Sequence, residues 1–552
     1  MNLSAKDRNE YLEQMSQTEL DLLVIGGGIT GAGIAFDSVL RNMKVGLIEM
    51  QDFAAGTSSR STKLIHGGLR YLKQFEVHIV AEVGKERAIV YENAPHVTTP
   101  EWMILPFYKR GTFGKFSTSI GLRVYDFLAG VKKSERRYML DQTQTLQKEP
   151  LLNKENLVGS GVYVEYRTDD ARLTMEVIKE AVSHGAWVSN YAKVEEFLYQ
   201  DHNVIGVVVR DLIANQVYEI RAKKIVNATG PWADTLREKD HSKKGKHLLL
   251  TKGVHLVFDQ SRFPLHHAIY FDTPDKRMVF AIPREGKTYL GTTDTVYQGD
   301  IQKPRITDED QTYLLHAANS MLPELKLTKK DIESGWAGLR PLIHEEGKSP
   351  SEVSRKDEVF VSLSGLITIA GGKLTGYRKM AEKVVDLVMK QLNQEEGKVY
   401  FPSQTKNKTL SGGDVGGSKG FVTFKQEKIK QGIQLGLTEE EADRLVSRYG
   451  ANIEQVYSIV CERFDKENLY GLSKEVFGSF LYGLENEMMV APIDFFMRRT
   501  GSILFNRDWA LKWKEPAVQF MADYFDWTSE EKRRYLDELE SEIRYSVETP
   551  NQ

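Results

Sequence analysis

Leu22–Ile25 is a short apolar run that stops at three glycines, and Val45–Ile48 is a second such run. Between them, Ile29–Asn42 carries apolar residues at helical spacing with few breakers. Unbroken short runs suit strands buried on both faces, and the 3.6-residue period suits a helix. Together they predict a strand–helix–strand unit of about 30 residues. The same reasoning predicts helices at Ala171–His184 and Leu374–Gln391. It predicts strands at Tyr191–Leu198, Asn203–Val209, Gln216–Ala222 and Lys224–Val226, with a further pair at Met278–Ile282 and Thr288–Thr292. The texture changes near Leu410. Ser411–Gly420 reads SGGDVGGSKG, a flexible linker. Charged helical patterns follow at Glu439–Tyr449, Glu454–Phe464, Lys474–Glu487, Pro516–Tyr524 and Ser529–Glu548. Residues 396–420 are therefore expected as a linker and 421–552 as a separate all-helical domain.

The 552 residues are three to four domains' worth of chain at roughly 150 residues each. With 41% hydrophobic and 27% charged residues, disordered, collagen-like and coiled-coil classes are excluded. Lys+Arg 74 against Asp+Glu 77 gives a net charge of -3, which argues against a dedicated nucleic-acid binder. The one cysteine, Cys461, allows no intramolecular disulfide and no cysteine-built zinc site. It points to a reducing compartment and is expected as a small core residue. No metal site is expected. The N-terminal stretch has no apolar h-region, and runs such as Val204–Val209 fall far short of the ~18 residues a spanning helix needs. Any membrane contact is expected at the surface.

Gly26-Gly27-Gly28-Ile29-Thr30-Gly31 fits G-x-G-x-x-G after a strand and before a helix, with Glu49 18 residues beyond Gly31. Gly26 permits the tight turn, Gly28 lets a pyrophosphate approach, and Gly31 allows close helix–strand packing. The helix N-terminus offers free N–H groups to phosphate, and Glu49 offers an acceptor to a ribose hydroxyl. An acid there disfavours a 2′-phosphate, so NADP is not expected. FAD and NAD both stay open on this motif.

Residues 56–72 read GTSSRSTKLIHGGLRYL. With Gly26–Gly31 and Glu49, this segment resembles the FAD-dependent glycerol-3-phosphate dehydrogenase family of the membrane-associated respiratory type. The likeness continues in Asn227–Trp232 (NATGPW), Gly291–Asp294 (GTTD), Gly338–Leu342 (GLRPL) and Gly371–Arg378 (GGKLTGYR), covering about residues 20–392 in order. The resemblance implies an α/β fold: a discontinuous Rossmann-like FAD-binding domain of the glutathione-reductase type. An antiparallel-sheet substrate domain is inserted in it, and an all-helical C-terminal domain follows. On this reading residues 18–95, 155–235 and 335–395 bind FAD, and 96–154 and 236–334 form the substrate domain.

The implied reaction is oxidation of sn-glycerol 3-phosphate to dihydroxyacetone phosphate by hydride transfer to flavin N5, with electrons passed to membrane quinone. The site then needs cations for the phosphate and an acceptor for the hydroxyl proton. The resemblance places Arg70, Tyr71 and Arg355 at the phosphate. Lys373, expected to open the helix after Gly371-Gly372 and to belong to the catalytic set, adds a charge near the substrate phosphate or the flavin. It assigns Arg340, in WAGLRPL, to the C2 oxygen and developing alkoxide charge. His66 is the first candidate for the proton acceptor; its alternative is a hydrogen-bonding role alone. Thr57, Ser58, Ser59, Ser61 and Thr62 are expected at the pyrophosphate and ring, and Val194 at the adenine. Gly230, Gly338, Gly372, Leu374 and Thr375 are expected beside the cofactor. His184, His202, His255 and His344 lack companions and are expected to be structural or on the surface.

Residues 107–137, from Phe107 to Arg137, interleave aromatic and basic side chains, including Lys132, Lys133 and Arg136. Such a stretch suits either an anionic lipid interface or an amphipathic core helix with a basic rim. The implied setting is cytoplasmic, peripheral to the inner face of the cell membrane, and a homo-oligomer is compatible with it. Two other readings are an oxidase that uses oxygen as acceptor, and a non-catalytic flavoprotein or partner-binding module. The first expects an extra insertion, and none stands out between Trp232 and Gly338. The Arg340, Lys373 and Arg70 set argues against the second.

Overall fold

A computed structural model of the chain describes residues 3–66, 77–109, 111, 135–345 and 356–549. Among these residues the strands form two sheets, one of eight strands and one of ten. The apolar runs build the first. Leu20–Ile25 is buried at every position and pairs in parallel with Val45–Ile48 on one side and Val217–Asn227 on the other. Trp187–Ser189 extends the sheet beyond Val45–Ile48, and Ile367–Ala370 extends it beyond Val217–Asn227. Parallel strands buried on both faces need helical cover. Helix Ile29–Leu40 supplies it, packed between helices Asp170–Ser183 and Tyr377–Glu396.

Val217–Asn227 is one strand, where the sequence suggested two. Its first half pairs antiparallel with Asn203–Asp211 and its second half parallel with Leu20–Ile25. The change of partner, not a turn, accounts for the break in its pattern. In the second sheet, Lys246–Asp259 runs antiparallel to Ile332–Glu345 along nearly its whole length, and Thr98–Tyr108 antiparallel to Leu157–Thr168. Leu157–Thr168 and Ile332–Glu345 therefore belong to this sheet, although the expected boundaries at 155 and 335 put them with the cofactor. Both strands start in the second sheet and lead into segments that line the first.

The helical patterns after residue 437 have clear starts. Thr438 and Thr528 each close a capping box, with Glu441 and Glu531 returning the hydrogen bond. Several helices were not anticipated, Val77–Asn93 and Asp308–Met321 in the first part of the chain among them; two more are Arg8–Gln17 and Gly417–Gln434. The last begins inside the expected linker, where Leu410, Val415 and Ser418 are buried, so this stretch is packed rather than free. Nor do the helices form a core of their own. Trp336 and Tyr289 of the second sheet meet Phe505 with ring centroids 5.7 and 5.9 Å away, and Ser334 Oγ donates to the Leu504 carbonyl at 2.5 Å. Cys461 is exposed, on the solvent side of helix Ile453–Glu467, not in the core.

Candidate active site

A cleft runs along the carboxyl ends of the parallel strands and holds about 1350 Å3 of space between protein atoms, part of it open to solvent. Strand order fixes the order of its walls. Gly371–Leu374 follows strand Ile367–Ala370, Ala228–Trp232 comes next, Gly26–Thr30 is central, and Glu49–Gln51 and Ala192–Val194 complete the far end. Five neighbouring strands span about 19 Å at ~4.8 Å per step, which suits an elongated ligand. Ligands of open α/β sheets bind at this edge.

Of the residues expected at a cofactor, Gly26, Gly28, Glu49, Thr57, Ser58, Ser61, Val194, Gly230, Gly372 and Leu374 line the cleft, as does Lys373. Gly26 has φ +114°, and a Cβ there would lie 2.6 Å from the Ala228 carbonyl oxygen. Gly31 does not line the cleft. A Cβ on it would run into the Gly26 carbonyl, so its role is helix–strand packing. Glu49 accepts from the N–H groups of Gly27 at 2.7 Å and Gln51 at 2.8 Å. Burial raises its carboxyl pKa, against the pull of those donors.

The hydroxyls are used differently from one another. Thr57 Oγ1 donates to the Leu339 carbonyl, and Ser61 Oγ donates to Asp170 at 2.7 Å. Thr62 Oγ1 is 3.0 Å from His255 Nε2. Ser59 is buried and, like Thr62, lies outside the cleft wall. Thr57 and Ser61 thus line the cleft but donate their hydroxyl protons to the loop's own supports, while Ser59 and Thr62 stand behind the wall. Ser58 Oγ accepts from the Ile29 N–H and keeps its own proton to donate. Gly338 and Thr375 are not in the wall either. A Cβ on Gly338 would meet the Arg60 backbone, and buried Thr375 donates to the His66 carbonyl at 3.2 Å.

Arg340 is beside the cleft, next to the wall residue Pro341. Its guanidinium donates to the Thr293 carbonyl at 3.1 Å, Thr292 Oγ1 at 3.0 Å and Asp294 at 3.3 Å. Register brings Thr251, Gly253 and His255 opposite Arg340, Gly338 and Trp336, on one face of the paired strands. Gly253 leaves room for Arg340: a Cβ there would be 2.5 Å from Nη2. His255 was not singled out from the sequence. Its ring stacks on Trp336 at 4.6 Å, and Nδ1 is buried with no partner. Burial, then Arg340 and Lys63, push its pKa well below the usual histidine value. A glycine at strand spacing, Gly253, was the signal that a bulky group approaches here.

Lys373 precedes a 3-10 turn, Leu374–Gly376, that leads into helix Tyr377–Glu396, so it stands one turn before the helix it was expected to open. Gly372, at φ +89°, makes the reversal that puts it there. Burial first, then Lys373 and Arg87, push His66 down to about 3. Arg70, Tyr71 and Arg355 lie outside the described residues, as do residues 110 and 112–134 of the basic–aromatic stretch. Phe107 is buried in strand Thr98–Tyr108 and is no part of a surface. Among the described residues, no group of three or more His, Cys, Asp or Glu is arranged to hold a metal ion.

Residues 21–378 match the family model described as FAD dependent oxidoreductase, and residues 403–532 match the C-terminal domain of alpha-glycerophosphate oxidase. Aerobic glycerol-3-phosphate dehydrogenase of Bacillus subtilis (strain 168) is 60% identical over 544 residues, covering 99% of this chain and 98% of that one. Its namesake in Staphylococcus aureus (strain USA300) is 54% identical over 557 residues, 100% of this chain and 99% of that one. Among solved structures, the glycerol-3-phosphate dehydrogenase from Bacillus halodurans complexed with FAD superposes with a TM-score of 0.87 at 53% identity, covering 100% of this chain and 99% of that chain.

Proposed function

The chain belongs to the FAD-dependent oxidoreductase family, and from that premise we propose that it oxidises sn-glycerol 3-phosphate to dihydroxyacetone phosphate and passes the electrons to a membrane quinone. The observation that carries this reading is the position of Arg340, braced by Thr292, Thr293 and Asp294 next to Pro341 of the cleft wall. The cleft fits FAD. It has an open approach at Gly28, where a Cβ would meet only Ser58 Oγ at 3.2 Å, and an acid at its far end.

FAD, when bound, supplies the acceptor for the hydride from C2. Gly26, Gly28, Ser58 and the start of helix Ile29–Leu40 hold its pyrophosphate, Glu49 its ribose and Val194 its adenine. Lys373, with Arg70, Tyr71 and Arg355, binds the substrate phosphate. Arg340 orients the C2 oxygen and stabilises negative charge on it as the hydroxyl proton leaves. That proton goes to a histidine. His66 is the choice from sequence. His255 is favoured by its place on the Arg340 face and its unpartnered Nδ1. With both pKa values depressed, each ring is neutral at pH 7 and has a lone pair to offer.

No helix among the described residues is long and apolar enough to cross a membrane. Peripheral attachment at the inner membrane face, through the stretch ending at Arg136 and Arg137, would bring the enzyme to its quinone. One steady-state assay tests the reaction and its acceptor: glycerol 3-phosphate against a quinone analogue and against oxygen. Turnover with the quinone analogue is expected. Rapid turnover with oxygen alone would make it an oxidase, and none with either acceptor would reject the reading.

A further inference from the structure

Val45–Ile48 ends in Glu49, Met50 and Gln51, which line the cleft, and then in Asp52, which is fully buried. Asp52 does not face the cleft. It accepts from Arg498 Nε at 2.5 Å, from Arg499 Nη1 at 2.7 Å and Nη2 at 3.0 Å, and from Asn190 Nδ2 at 3.0 Å. Both arginines sit on a π-helical turn, Asp494–Arg499, in the C-terminal helices. Single π turns concentrate at functional positions.

The second wall of this end of the cleft is tied to the same turn. Ser189 and Tyr191 flank Asn190, and Ala192–Val194 line the cleft. The two walls are stitched together: Glu49 N–H donates to the Ser189 carbonyl, Ala192 N–H to the Glu49 carbonyl, and Tyr191 N–H to the Gln51 carbonyl, at 2.7–2.9 Å. Asn190 Nδ2 also reaches the Met488 carbonyl at 2.9 Å, and the Tyr191 hydroxyl donates to Asp494 at 2.7 Å. Each tie ends between residues 488 and 499.

The charges close on themselves. Asp494 pairs with Arg498, and Glu487 with Arg172, Lys179 and Arg499, while Glu176 pairs with Arg172 and Lys179. Burial alone would raise the Asp52 carboxyl, but Arg499 and Arg498 outweigh it and hold it at about 2. The loop also carries a conformation that needs enforcing. Ala54, two residues on, has φ +62°, and its N–H donates to the Gly27 carbonyl at 3.0 Å. A left-handed alanine is held only where its surroundings impose it.

We propose that the C-terminal helical region is a cofactor clamp: Arg498 and Arg499, acting through Asp52, are positioning residues that hold the wall contacting the adenosine half of FAD. The inference rests on reading Glu49 as the ribose contact. The clamp lies outside the chemistry, so loosening it raises the rate of FAD loss and leaves the reaction of the loaded enzyme alone.

The test uses the full-length holoenzyme. Arg499→Lys keeps the charge but loses the two-pronged contact. The double variant Asp52→Asn with Arg498→Gln removes one charge of each sign, so the net charge of the buried cluster is unchanged. Asp494, which loses its ion pair, keeps the Tyr191 hydroxyl and the Val490 and Ala491 N–H groups as donors. Arg463→Gln breaks surface ion pairs in the same helices with no link to the loop, and serves as control. FAD release is followed by the rise in flavin fluorescence on dilution. In at least one clamp variant the dissociation constant for FAD should rise tenfold or more. The KM for glycerol 3-phosphate should stay within twofold when FAD is saturating, and added FAD should restore activity. The melting temperature of the apoprotein should move less than that of the holoprotein. FAD affinity within twofold of wild type in both clamp variants, or apo and holo melting temperatures that fall equally, overturns the proposal. Glu49→Gln is measured alongside: unchanged FAD affinity there rejects the ribose assignment, independently of the clamp.

Discussion

Ser58 Oγ accepts a hydrogen bond from the Ile29 backbone N–H at 2.9 Å, so a loop 29 residues downstream caps the cofactor-binding helix. The hydroxyl proton is left to donate to a phosphate oxygen. A charge-assisted hydrogen bond contributes about 1.5–3 kcal/mol. Ser58→Ala should therefore weaken FAD binding about 10- to 150-fold, read from flavin occupancy after dialysis. Gly28→Val should leave no retained flavin, because its side chain meets Ser58 where the pyrophosphate must approach. Full occupancy in the valine variant would mean the ligand lies elsewhere.

Arg340 is held by three oxygens before any substrate arrives, which fixes its direction in advance. Its partner charge develops only as the hydroxyl proton departs, so its effect belongs to the transition state. Arg340→Ala should slow anaerobic flavin reduction by about 100- to 1000-fold, as for loss of one oxyanion donor. Stopped-flow absorbance at saturating glycerol 3-phosphate measures that step alone. An unchanged rate would take Arg340 out of the reaction.

The two candidate proton acceptors give opposite rankings in the same instrument. If His255 takes the proton, His255→Asn should cost about 100-fold or more in flavin reduction. His66→Asn should then cost less than tenfold and act mainly on KM, through its neighbour Lys373. The reverse ranking returns the role to His66. Both rings titrate below their usual range, so neither should give an acidic limb near pH 6.5 in kcat/KM. The substrate's own phosphate, with a second pKa of about 6, is the group expected to titrate there.

The parallel sheet and its glycine loop were legible because both faces are buried, so the strands read as plain apolar runs. Sites on the second sheet were harder. Arg340 was found only through its motif, and His255 not at all, because 85 residues separate it from Arg340 and strand register alone brings them together. The hydroxyls of residues 57–62 were assigned to a ligand, yet Thr57, Ser61 and Thr62 spend theirs on Leu339, Asp170 and His255. Sequence shows which groups can bond, not which partner wins. Asp52 gave no sign of its function, since its arginines are more than 440 residues away.

His96 is 4% exposed, and neither ring nitrogen has a partner. Burial, then Lys179 and Arg172, push it down to about 3. The folded protein thus refuses a proton that the unfolded chain takes below pH 6.5. Stability supplied by neutral His96 is complete above that pH and is lost as pH falls towards 3. The slope approaches about 1.4 kcal/mol per pH unit. His96→Gln should remove that slope, seen as a smaller drop in melting temperature between pH 7 and pH 5. An identical drop in both proteins would refute it.

Liposome sedimentation tests the surface attachment. The protein should bind vesicles containing anionic lipid and be released by salt, since each Lys or Arg near such a surface contributes about 1 kcal/mol. Replacing Lys132, Lys133, Arg136 and Arg137 with glutamate should free most of it. Turnover with a soluble dye acceptor should be nearly unchanged. Equal sedimentation of variant and wild type would point to another contact, with the C-terminal helices next to be tried.

The eight-stranded sheet collects its strands from residue 20 to residue 370, and the arginines gripping Asp52 come later still, at 498 and 499. At about 5–20 residues per second, a ribosome needs roughly 25 to 100 seconds to pass from the glycine loop to those arginines. The sheet's last strand has been made by residue 370, yet the loop that follows Val45–Ile48 still lacks the arginines that hold it. If the clamp holds the adenosine wall, stable flavin loading is a late event in the life of the nascent chain. Truncation near the C-terminus, far from any reacting atom, should then yield a polypeptide that can be made but not properly charged with its cofactor.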